Sequence, residues 1–78
     1  MKKTLKSLHS FHQGDRVVIR NIRIDGKDGA ALARLGVCEG SVAEIFFINK
    51  HTVVLRLGKT KLALCANASD RILADAFH

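Results

Sequence analysis

The side chains able to do chemistry in this chain are few, and their spacing limits what that chemistry is. Four histidines, His9, His12, His51 and His78, are the candidates for metal ligation or proton transfer. His9 and His12 stand three apart, a spacing that puts two imidazoles on one helix face. The residues around them lack a helical pattern, and no carboxylate or thiol lies directly beside them to build a ligand set. Surface histidines are the favoured reading, and a metal-binding or metal-sensing role stays as an alternative. Cys38 and Cys65 are far apart and form no C-x-x-C pair. They read as reduced, half-buried thiols, although spacing alone leaves a single disulfide open. Cys38 follows a predicted helix, near the end whose dipole disfavours a thiolate. Asp25 and Asp28 read as helix-cap or turn residues, and Gly26 and Gly29 are too isolated to cradle a phosphate. No phosphate-loop motif is present. The expectation is a protein that is not an enzyme and needs no cofactor.

The elements that position these residues are short and mostly extended. Asp15 to Ile24 predicts the first strand, with β-branched residues throughout and an imperfect alternation that implies a bulge near Asn21. Asp25 to Gly29 breaks it. Ala30 to Leu35 follows as a short helix, built of strong helix formers and closed by Gly36 in a left-handed cap position. Ser41 to Ile48, Thr52 to Leu57 and Thr60 to Cys65 predict a meander, turning at Asn49-Lys50 through the tolerance of asparagine for positive φ, and again at Gly58-Lys59. Asn67 to Asp70 gives one helical turn, and Arg71 to Asp75 a last strand. Together these predict a mainly β fold: a small, closed or partly closed antiparallel barrel of about five strands, with one short α-helix between the first and second strands.

At 78 residues the chain predicts a single domain, with residues 1–7 as a loose start. No apolar run has the length of a membrane span, and Met1-Lys2-Lys3 is followed by no signal-peptide core. A cytoplasmic protein that is not membrane-embedded is expected. The net charge is +6, and up to Ile24 six cations stand against Asp15 alone. Such a segment suits an acidic protein face, an anionic membrane surface or nucleic acid, or serves only solubility.

The order of these elements resembles the FeoA family. The matching stretches are Arg34-Leu35-Gly36 at the helix end, Val37-Cys38-Glu39-Gly40 before a strand, Val53-Val54-Leu55-Arg56-Leu57-Gly58, Leu62-Ala63-Leu64, and Ala68 to Ile72. The similarity runs from about Leu8 to Asp75. Glu39 departs from the family's proline at that turn, and the hairpin around Asn49-Lys50-His51 is short. The resemblance implies an SH3-like barrel and a small cytosolic accessory or regulatory protein of ferrous iron transport, one that binds the cytosolic part of the FeoB-type membrane transporter.

A protein-binding role needs a surface. If Ala43, Ile45 and Phe47 face inward, then Val42, Phe46, Ile48 and Val54 face outward as an apolar patch, unless the helix or a terminus covers them. Arg16, Arg20 and Arg23 on the basic strand would steer and orient the partner. The chain has neither Trp nor Tyr, which disfavours polyproline recognition and single-stranded nucleic-acid stacking. A basic small-barrel nucleic-acid module remains the other alternative, and self-association through the same face is a variant.

Overall fold

A computed structural model describes residues 5–77. Met1 to Thr4, most of the predicted loose start, and His78, one of the candidate metal ligands, lie outside the described residues. The elements are β1 Lys6–Ser7, a 3-10 turn Leu8–Ser10, β2 Arg16–Ile22, α1 Gly26–Arg34, β3 Val42–Ile48, β4 Thr52–Leu57, β5 Thr60–Cys65, α2 Ala66–Asp70 and β6 Ile72–Ala76. All six strands join one antiparallel sheet in the order β1-β6-β2-β3-β4-β5.

Three expectations need correction. Among the described residues the sheet has six strands rather than about five, the helix therefore falls between the second and third, and the sheet is not closed. The additional strand is β1, whose Lys6 and Ser7 face Ala74 and Leu73 of β6. It lies in the stretch expected to be loose, and two residues are too few to show an alternation. Such a strand offers β5 almost no ladder to close against. Side chains fill the opening instead. Leu8, on the 3-10 turn that packs against α2, is fully buried, and Phe11 is nearly so.

The core takes one face of the sheet. Val17 and Ile19 from β2, Ala43 and Ile45 from β3, and Val53 and Leu55 from β4 are buried together. Leu64, Ile72 and Ala74 extend this layer, and Leu32 of α1 caps it. Apolar contact of this kind stabilises the fold by about 25 cal/mol per Å² removed from water.

Helix α1 begins four residues earlier than Ala30. Asp25 occupies its N-cap position, but its side chain makes no capping bond, and Asp28 sits in the first turn, where the helix dipole favours a negative charge. Gly29 is needed because its backbone crosses the carbonyl of Ile24 so closely that a β-carbon would collide with that oxygen. The other end is a Schellman motif. Gly36 has φ +93°, its N–H donates to Ala33 O, and the Val37 N–H donates to Leu32 O. Leu32 and Val37 are both buried, which supplies the apolar contact that accompanies this cap.

The β3–β4 hairpin turns through a side chain. Asn49 Oδ1 accepts from the N–H groups of His51 and Thr52, each at 2.8 Å. No described non-glycine residue has positive φ, so the expected left-handed asparagine is replaced by this Asx arrangement.

Candidate protein-binding surface

Two strands each carry one extra residue, and the outer face of the sheet follows from that. In β2, Ile19 faces Ala74 while Asn21 faces Leu73, so one residue is inserted at Arg20. This is the bulge that the broken alternation predicts. In β3, Ile45 faces Leu55 while Phe47 faces Val54, so Phe46 is inserted. A side-chain period of two changes phase when one residue is added. Along β3 the sequence of faces becomes Ile45 inward, Phe46 and Phe47 outward, and Ile48 inward. Ile45 is fully buried and Ile48 packs against the core, whereas Phe46 is 40% and Phe47 43% exposed.

The expected membership of the patch changes accordingly. Val42 is 45% exposed and Phe46 is exposed as expected, and Val54 is half-buried. Ile48 leaves the patch for the core, and Phe47, expected inside, joins it. The β3 run offers no polar residue after Glu44 to mark the phase change, so strict alternation assigned both residues to the wrong side.

The charged residues divide as well. Arg16 of β2 faces Glu44 of β3, Glu44 faces Arg56 of β4, and Arg56 faces Lys61 of β5. This row crosses four strands. Arg56 forms an ion pair with Glu44. The Lys61 ammonium lies 4.0 Å from the centre of the Phe46 ring, close enough for a cation–π contact. Arg16, Val42, Glu44 and Arg56 also line a shallow depression of about 230 Å³. Arg16 therefore borders the patch beside Val42. Arg20 lies roughly 13 Å further along β2, in the direction away from Phe46, at about 3.3 Å per residue. Arg23 lies beyond the end of β2, its backbone N–H bonded to Arg71 O. Both are exposed; Arg20 stands two residues past Val18, which faces Val42, so it lies at the Val42 end of the patch and away from the aromatic pair. Sequence reasoning missed Arg56 and Lys61. Pairing β3 with β4 through the Asn49 turn in strict register puts Arg56 opposite Ile45, and only the residue inserted at Phe46 brings it opposite Glu44.

The residues considered for metal or redox chemistry have other partners. The His9 ring Nε2 donates to the Asn49 carbonyl at 2.6 Å and ties the 3-10 turn to the hairpin. His12 lies beside Asp15, whose carboxylate also accepts the His12 backbone N–H. Among the described residues no three metal-ligating side chains converge. Cys38 and Cys65 are free and exposed rather than half-buried. Cys38 sits in the loop after α1, with its sulfur 3.1 Å from Ser41 Oγ, and Cys65 projects from the end of the edge strand. No described helix is long and apolar enough to cross a membrane.

A second recess lies elsewhere, between α1 and the β5–α2 segment. It is an open groove of about 440 Å³ whose apolar floor includes Ile24, Ala31, Leu32 and Leu64. Asp28 and Arg71 are its charged lining residues.

The family model of the FeoA domain matches residues 6–76. The chain belongs to the FeoA family. The family is associated with the ferrous iron transport system, and the match covers all six strands. No curated protein matches this FeoA-family chain in sequence. Among solved structures it is similar to an iron uptake regulatory protein, FeoA, with a TM-score of 0.82 at 16% identity, over 95% of this chain and all of that one. An FeoA-like protein from Clostridium acetobutylicum gives a TM-score of 0.76 at 21% identity, over the whole of this chain and 92% of that one. A manganese-dependent transcriptional repressor gives 0.84 at 14% identity, but this chain spans only 44% of its length. At these identities the structural likeness establishes a shared fold.

Proposed function

We propose that this FeoA-family chain is a cytoplasmic accessory protein of ferrous iron transport that acts by binding, not catalysis, and docks on the cytosolic part of the FeoB-type transporter. The contact surface is Val42, Phe46, Phe47 and Val54, with Arg16, Arg56 and Lys61 around it. The observation that carries this reading is the aromatic pair that the β3 bulge turns outward. Two adjacent phenylalanines in solvent cost free energy that a partner surface recovers, and aromatic residues ringed by cations are typical anchors of protein interfaces. Family membership supplies the system in which the partner is sought. The surrounding cations favour an acidic face on that partner and speed encounter more than they add affinity.

The test is a calorimetric titration of the protein into the purified cytosolic domain of the transporter. Saturable binding that is lost in the double variant Phe46→Ala/Phe47→Ala supports the reading. Heat changes at the level of dilution, together with a gel shift of RNA or DNA at low salt, would replace it with the nucleic-acid alternative.

A further inference from the structure

The free edge of β5 and the groove beside it belong together. Strand β5 ends the sheet, and no described strand pairs with its outer side. The Ala66 N–H donates to His51 O just beyond the Thr52–Cys65 pair. In an antiparallel ladder the hydrogen-bonded pairs alternate. Leu64 and Leu62 therefore exchange bonds with Val53 and Leu55, and Lys61, Ala63 and Cys65 turn their N–H and C=O groups away from β4. Natural sheets protect such an edge with proline, a bulge or cover, and β5 has no proline and pairs with β4 without a register shift. Ala63 and Cys65 are also lining residues of the groove whose apolar floor is set by Leu32 and Leu64. Unpaired backbone groups and an apolar recess lie within reach of a single extended strand.

We infer that this edge and groove form a peptide-binding site that takes an extended segment of another protein by strand addition. The segment adds a seventh strand to β5 and sinks one leucine-sized side chain between α1 and α2. Its backbone supplies affinity through the three outward-facing residues, and the groove supplies selectivity through the alternate side chain. Charge complementarity defines the flanks. Asp28 and Arg71 both line the groove, and among the described residues neither has an ion-pair partner. The fitting segment carries a basic residue on one side of its apolar anchor and an acidic residue on the other. The groove shares no residue with the aromatic patch on the outer face, and at the edge only Lys61 is common to both, through its backbone here and its ammonium there; the inference stands or falls independently of the transporter reading.

The probes are capped peptides Lys-Thr-X-Thr-Asp and the reversed-charge order Asp-Thr-X-Thr-Lys, with X leucine, isoleucine or phenylalanine. One charge order binds the full chain with Kd below about 1 mM. Amide hydrogen exchange at Lys61, Ala63 and Cys65 then slows at least tenfold, while Leu62 and Leu64, already bonded to β4, are unchanged. N-methyl groups on alternate peptide residues abolish binding in one phase and not in the other. Ala63→Pro removes an outward N–H, keeps the β4 pairing and weakens binding at least tenfold. The peptide N-methyl series gives the same readout if that variant fails to fold. No saturable binding by any member up to about 1 mM overturns the inference. So does binding with unchanged exchange at the three amides. Protection that grows with protein concentration in the absence of peptide also overturns it, because the occupant is then a second copy of this chain.

Discussion

Truncation of Phe46 and Phe47 is the perturbation whose size the structure sets most directly. Phe46 keeps 40% of its surface in solvent and Phe47 keeps 43%. A phenylalanine side chain presents about 200 Å², so each ring leaves about 80 Å² for a partner to cover. At about 25 cal/mol per Å² each ring contributes about 2 kcal/mol to the complex. A single alanine substitution should raise Kd about 30-fold, and the double substitution about 1,000-fold. The fold should survive. Phe46 loses its contact with Lys61, worth about 0.5–1 kcal/mol at an exposed site, and for a chain of this size 1 kcal/mol lowers Tm by about 4–8 °C. The assay is a calorimetric titration against the transporter's cytosolic domain, with thermal melts of each variant. Arg34→Ala serves as a control, because Arg34 is exposed at the end of α1, which packs on the core side of the sheet. A double variant that binds with unchanged Kd and melts like the parent would refute the reasoning, since the exposed rings would then meet no partner.

Other outcomes follow from individual contacts. Gly29→Ala should destabilise the protein by about 2 kcal/mol or more in urea unfolding, because the new methyl meets the Ile24 carbonyl and α1 must shift. Asn49→Ala removes the acceptor for two backbone N–H groups and should cost about 1–2 kcal/mol, read as a lower urea midpoint with unchanged slope. Raising salt from about 50 to 500 mM should slow association with the transporter domain while leaving dissociation nearly constant in a stopped-flow measurement, because the cations around the patch steer encounter.

Most of the architecture is legible in the sequence because it rests on short-range physics. The mainly β character follows from alternating β-branched residues in Arg16–Ile22 and Thr52–Leu57. The helix end follows from a leucine and a glycine that fit one cap, and Arg20–Asn21 betray a bulge by breaking a polar and apolar rhythm. Three features are hidden for a common reason: each is decided by long-range contacts. Strand β1 exists only because β6 comes alongside it, and Leu8 is a core residue only because its turn packs against α2 and β6. The β3 bulge is hidden because Ile45-Phe46-Phe47-Ile48 is apolar at every position, and hydrophobicity cannot report which side each residue takes. The candidate surface was half visible as a result. Val42, Phe46 and Arg16 lie where alternation puts them, Phe47 and Ile48 trade places, and Arg20 and Arg23 lie apart from Arg56 and Lys61, which cross-strand pairing brings to the patch.

The central claim is that the inserted residue in β3 presents Phe46 and Phe47 to the transporter. An NMR titration of the labelled protein with the transporter's cytosolic domain tests it residue by residue. The largest shift changes are expected at Val42, Phe46, Phe47, Val54, Arg56 and Lys61. Changes confined to α1 and α2, with the β3 signals unmoved at saturation, would contradict it.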